Sequence, residues 1–163
     1  MMNKRLGIIA LLSLLLIFPV SASMVSFLLV ETGISDDVPN SQYTSLWEGG
    51  LMAAFFDAGH IVTNGPAARM EKKPLQDFTG VLGDDFNEAV EGGAEYFVLG
   101  FLEYQMQGGN PVLLGIALKL YDADSQKLIY EQRFPAGNGK TLDEEYRFAQ
   151  DAGRSIISHL SKR

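Results

Sequence analysis

Hydrophobic residues along this chain change period several times, and each change predicts an element. From Met24 the sequence runs into Phe27-Leu28-Leu29-Val30 without a polar break. Such a run fits a strand buried on both faces, as in a parallel sheet. A loop rich in Asp, Gly and Pro follows over 31–41. Between Gln42 and Ala58 the spacing becomes helical. Tyr43, Leu46, Trp47, Gly50, Leu51, Ala54, Phe55 and Ala58 are apolar or small and follow the i, i+3, i+4, i+7 template. Ser41 is placed to cap this helix, and Gly59 to end it in the left-handed conformation. Trp47, at the centre of the stripe, is expected to be buried against a sheet. His60-Ile61-Val62-Thr63 then predicts a short strand, which completes a βαβ unit.

The stretch 64–80 has no clear period and carries Asn64-Gly65-Pro66, Pro74 and the basic residues Arg69, Lys72 and Lys73. A short helix should follow. Asp85 is its expected cap, Glu88 the capping-box partner, Phe86, Ala89 and Val90 the inner stripe, and Gly92-Gly93 the stop. Ala94 to Tyr104 predicts a strong strand. Val112 to Tyr121 alternates, with Val112, Leu114, Ile116, Leu118 and Leu120 on one face. After a turn at Asp122-Ala123-Asp124-Ser125, Lys127 to Phe134 returns with Leu128, Tyr130 and Phe134 together. These three strands read as an antiparallel meander. A last helix is expected from Leu142 to Leu160. Thr141 and Glu144 stand at capping-box spacing, and Leu142, Tyr146, Ala149, Gly153, Ile156 and Leu160 form its inner side. The pattern predicts an α/β fold: one mixed five-stranded sheet with helices, in the order β-α-β-α-β-β-β-α.

The first 22 residues break with this pattern. Lys4 and Arg5 precede an apolar run from Leu6 to Val20, and Val20-Ser21-Ala22 offers compact residues for a signal peptidase. This is the layout of a cleaved secretory signal over 1–22, leaving one domain over 23–163. A membrane anchor needs about 20 apolar residues and Pro19 interrupts this run, which favours cleavage, and no later segment is long and apolar enough to span a membrane. The chain has no cysteine, which excludes a lipid anchor of the lipoprotein type and any disulfide. Removing Lys4 and Arg5 with the signal shifts the net charge from −7 to −9. That balance argues against nucleic acid and against anionic lipid as partners. The expected location is periplasmic or secreted.

Three local phrases carry a family resemblance. They are Phe56-Asp57-Ala58-Gly59-His60-Ile61-Val62, Gly92-Gly93-Ala94-Glu95-Tyr96-Phe97-Val98-Leu99-Gly100, and Leu120-Tyr121-Asp122-Ala123-Asp124-Ser125-Gln126-Lys127. In this order the chain resembles the envelope domains of the CsgG type, the N-terminal domain of TolB and the penicillin-binding-protein activator LpoB. The resemblance spans Met24 to Leu160 and implies a protein-binding or assembly role. Two departures stand out. Gln126 occupies the position where the group's turn carries glycine, and the lipidation cysteine is missing.

Candidate chemistry is sparse. His60 begins a strand after a helix cap and His159 lies near a helix end, and neither has a nucleophile motif or a metal partner at ligand spacing. Asp84-Asp85 reads as a cap, Asp122 and Asp124 as a turn, and Asp36-Asp37 as a solvated loop. No phosphate-binding glycine motif occurs, and no cofactor is expected. Two surfaces remain. Gly49, Met52, Ala53 and Phe56 form an apolar patch opposite the core stripe of their helix, covered either internally or by a partner. Asp36 and Asp37 of loop 31–41 and Arg69, Lys72 and Lys73 of loop 64–80 follow the parallel strands, where open α/β sheets bind ligands. The two loops could hold a zwitterion or pair with each other. The expected function is therefore a non-enzymatic cell-envelope module that binds an envelope protein or itself, or a subunit of a larger assembly. The alternative is a periplasmic small-ligand-binding or hydrolytic protein with its site at those loops.

Overall fold

The computed structural model describes residues 22–35, 41–74, 77–78, 80–135 and 141–160. The expected signal segment, Asp36 and Asp37 lie outside them. In chain order the elements are β1 (Met24–Thr32), α1 (Gln42–Asp57), β2 (Ile61–Asn64), β3 (Ala68–Met70), α2 (Val81–Glu91), β4 (Tyr96–Gln107), β5 (Asn110–Asp122), β6 (Leu128–Pro135) and α3 (Leu142–Ile157). The fold is α/β with a mixed sheet, ordered β2-β1-β4-β5-β6. β1 runs parallel to β2 and β4, and β4, β5 and β6 form the antiparallel meander. A sixth strand, β3, lies in the stretch without a clear period. It pairs with Val30–Thr32 of β1, beside the same edge that β2 takes over Met24–Phe27.

The unbroken apolar runs are explained by two cores, one on each sheet face. Phe27 and Leu29 of β1 and Tyr96, Val98 and Leu102 of β4 pack beneath α1 and α3, with Trp47, Leu51, Phe55, Ala149 and Ile156. Leu28, Val30, Phe97, Leu99 and Phe101 face the other way and meet Leu82 and Phe86 of α2. Residues adjacent in sequence therefore feed opposite cores, which removes any polar alternation.

Helices α1 and α3 touch through small residues. A Cβ on Gly50 would lie 2.6 Å from the Ala149 Cβ, and one on Gly153 would lie 2.8 Å from the Ala54 Cβ. The stripes seen in sequence thus serve two contacts: large residues meet the sheet and small ones meet the neighbouring helix. Ser41 caps α1 by accepting from the Tyr43 N–H, and Gly59 takes φ 88°. Thr141 and Glu144 form the expected capping box of α3.

Four local expectations are corrected. Asp85 is not a cap: α2 starts at Val81 behind Gly80, and Asp85 lies inside the helix. Complete burial of Leu82 in its first turn outweighs the Asp85–Glu88 capping pattern. Val112 and Leu114 do not share the face of Ile116, because the pairing shifts where Glu103 meets Gly115 and Tyr104 meets Leu113. One extra residue in β5 reverses the alternation. A shift between Leu120 and Tyr121 likewise separates Leu128 from Tyr130 and Phe134. Leu142 is exposed, and the buried side of α3 begins at Glu145 instead.

Candidate functional site

On α1, the expected patch divides. Gly49 faces the Tyr146 ring, 3.5 Å from where its Cβ would sit, and Met52 packs on the sheet core while only partly buried. Ala53 is half-buried. Phe56 stands out, with 69% of its surface exposed. Glu48, Met52 and Phe56 are spaced by four, so they form one row along the helix. Glu48 Oε1 accepts from the Asn64 side-chain amide of β2 at 2.9 Å, which places that row along the β2 side of the sheet. Among the described residues, β2 pairs with β1 on one side and with no strand on the other. Ile61, at the start of β2, is 55% exposed and paired with Met24, on the sheet face opposite α1. The open strand edge is therefore bordered by Phe56 above one face and Ile61 on the other. Ile61 was legible as a strand residue, but its exposure depends on β2 being the edge.

The two loops expected to form a ligand site are tied together by residues at their roots. Arg69 and Glu31 are cross-strand partners in the β1–β3 register. Arg69 donates to Glu31 Oε2 through Nε at 3.0 Å and Nη2 at 2.6 Å, and to the Ser35 carbonyl through Nη1 at 3.2 Å. Glu31 Oε1 accepts from the Thr44 hydroxyl at 2.5 Å and the Ser41 N–H at 3.3 Å. The Tyr104 hydroxyl lies 3.3 Å from that of Thr44. Burial pushes the Tyr104 pKa up, against hydrogen bonds from Ser41 and Thr44, with the Glu31 charge adding to the rise. Lys73 is engaged elsewhere, its Nζ 4.7 Å from the centre of the Phe101 ring, and Lys72 is exposed. Of the three basic residues, only Arg69 joins this cluster. Glu31, buried to 2% exposure, is its centre and reads in sequence as the start of a loop.

Other polar groups hold the fold. Asp122 accepts from the Ser125 N–H at 2.9 Å and hydroxyl at 2.7 Å, which shapes the turn. Gln126 then adopts φ 56°, the only positive φ outside glycine among the described residues. The Tyr121 hydroxyl donates to Asp77, which also receives Lys119 Nζ at 2.5 Å. Burial first, then Asp77, raises the Tyr121 pKa far above its ordinary value. His159 stacks on Tyr130 with ring centres 4.0 Å apart, and His60 lies beside Phe55. Among the described residues no three His, Cys, Asp or Glu side chains gather in a way that could hold a metal ion. No described helix is long and apolar enough to cross a membrane.

No family model and no curated protein matches the sequence. Solved structures do match it. The PelC dodecamer from Paraburkholderia phytofirmans is 15% identical, over 87% of this chain and 89% of that one, with a TM-score of 0.46. TolB from Acinetobacter baumannii is 12% identical over 86% of this chain and 28% of its own, with a TM-score of 0.43. A lipoprotein from Neisseria meningitidis is 13% identical over 87% and 99%, with a TM-score of 0.40. Of the group suggested by the sequence, TolB is represented among these three. At such identities and scores, these likenesses assign neither a family nor a function to the chain.

Proposed function

We propose that this protein is exported, works in the cell envelope without enzymatic activity, and binds a protein partner at the β2 edge. The export reading rests on the layout of the first 22 residues, Lys4-Arg5, the apolar run and Val20-Ser21-Ala22. The observation that carries the binding reading is Phe56, a large apolar side chain left 69% exposed above a strand edge that no described strand pairs. An extended segment of the partner would add to β2 through main-chain hydrogen bonds, with Phe56 and Ile61 gripping it from the two faces. Open strand edges are generally protected, so an edge bordered by exposed apolar residues marks a contact.

The test is the pair Phe56→Lys and Ile61→Lys, combined and compared with wild type. Both side chains are exposed, so melting temperature should stay within a few degrees. Loss of the partner crosslinked in the envelope, or of self-association measured by mass in solution, supports the reading. Retained assembly by the folded double variant contradicts it. Met52→Glu does not belong in this test, because Met52 packs on the core and its loss would act through the fold.

A further inference from the structure

The β2 edge is bordered by charge as well as by apolar side chains. Between Arg5 and Arg69 the sequence has no lysine or arginine, and between Lys73 and Lys119 it again has none. β1, α1, β2, α2 and β4 are therefore built without either residue. Lysine and arginine return at the far side of the sheet, with Lys119 on β5, Lys127 just before β6 and Arg133 on β6. On the β2 side, acids stand without such neighbours. Glu48 accepts from the Asn64 amide, so its carboxylate lies beside the strand. Asp57 ends α1 directly after Phe56, is exposed, and is separated from β2 only by 58–60. Neither acid enters an ion pair among the described residues. Arg69, Lys72 and Lys73 follow β2 in the chain but lie past its end, because β3 pairs with Val30–Thr32 of β1 and β2 with Met24–Phe27. There Arg69 is held by Glu31, and Lys73 Nζ lies over the Phe101 ring.

On the reading that a partner segment adds to β2, we propose that this segment is a basic extended peptide, with lysine or arginine set between apolar residues. Strand addition offers main-chain hydrogen bonds to any sequence, so the side chains beside the edge decide which sequence is accepted. Phe56 and Ile61, both exposed, meet the apolar residues. Glu48 and Asp57 meet the basic ones, and a long side chain from an added strand can reach an acid on the helix above it. An acidic segment would bring like charges together at the same two positions, which works against the wrong partner. A second copy offering its own β2 edge would do so too, since it carries the same two acids. The net charge of −7 acts in the same direction at longer range, drawing a basic segment toward the protein. Apolar side chains thus hold the segment at the edge, and charge selects it.

The test is an NMR titration of the protein, purified as the cell processes it, with two short capped peptides. One alternates valine with lysine, the other valine with glutamate. The lysine peptide should give saturating shifts at the amides of 61–64 and bind about tenfold more tightly than the glutamate peptide at low salt, with the preference shrinking as salt is added. Glu48→Gln with Asp57→Asn should remove most of that preference. Glutamine keeps an oxygen for the Asn64 amide and Asp57 is exposed, so the spectrum of the free variant should stay well dispersed. Equal binding of the two peptides at 61–64, or an unchanged preference in the folded double variant, would overturn the basic partner and leave the edge contact standing. Saturating shifts at 61–64 from neither peptide would overturn both. A dimer of the free protein that Phe56→Lys with Ile61→Lys dissolves would place a second copy at the edge, and would overturn the basic segment alone.

Discussion

Replacing Trp47 by phenylalanine isolates one interaction between the two helices of the larger core. Trp47 is completely buried, and its indole Nε1 donates to Glu145 Oε1 at 2.9 Å. Glu145 is itself only 1% exposed, in the first turns of α3. A hydrogen bond to a charged group is worth about 1.5–3 kcal/mol, and loss of one partner leaves the other buried and under-satisfied. The missing part of the ring adds a cavity against Phe134 and Phe148, whose ring centres lie 6.2 Å and 5.7 Å from that of Trp47. Together these predict a loss of about 3 kcal/mol, a large part of the ~5–15 kcal/mol that holds a domain folded. Urea unfolding followed by far-ultraviolet circular dichroism is the suitable assay, since the substitution removes the only tryptophan. Glu145→Leu and the double variant complete a cycle. The double variant should be about 1–3 kcal/mol more stable than the sum of the two single losses predicts. A loss below 1 kcal/mol for Trp47→Phe, or losses that add within 0.5 kcal/mol, would refute this account of the core.

Three further substitutions test other contacts. Gln126→Gly relieves a left-handed residue that costs about 1–2 kcal/mol, offset by the greater freedom of glycine in the unfolded chain, so a net gain of about 0.5–1 kcal/mol in denaturant unfolding is expected. Arg69→Met leaves Glu31 charged, buried and unpaired by its main partner, and should cost about 3–5 kcal/mol by the same measurement. Asp85→Asn carries a sign. Burial and its acidic neighbours raise the folded-state pKa, so ionised Asp85 opposes folding at neutral pH and ceases to do so below the ordinary carboxylate range. The variant should therefore be more stable than wild type at neutral pH, with the difference closing as the pH falls.

Much of this architecture is legible in the sequence because single signals decide it. Ser41, Gly59, Thr141 and Glu144 act within a few residues of themselves, and all four do what their position predicts. Trp47 is buried as its stripe requires. Misreadings occur where a distant residue outweighs a local pattern. The bulge in β5 cannot be seen in an alternating run, because Gly115 and Leu114 look like any other alternating pair until Tyr104 takes Leu113 as its partner. Strand β3 is three residues long, too short for a period, and is held by Arg69 reaching Glu31. The exposed positions were the hardest to foresee. Phe56 was part of the expected patch, but Ile61 joins it only because no described strand covers β2.

The central claim is that the β2 edge with Phe56 meets a protein in the envelope. A photoreactive amino acid placed at position 56 in living cells tests it most directly, with one at exposed Glu91 on α2 as the control. Irradiation should give a discrete crosslinked species in the extracytoplasmic fraction from position 56 and not from position 91. It should be lost when Ile61→Lys is added. A chain that stays uncrosslinked at position 56, or is recovered with Lys4 and Arg5 still attached in the cytoplasm, would contradict the account.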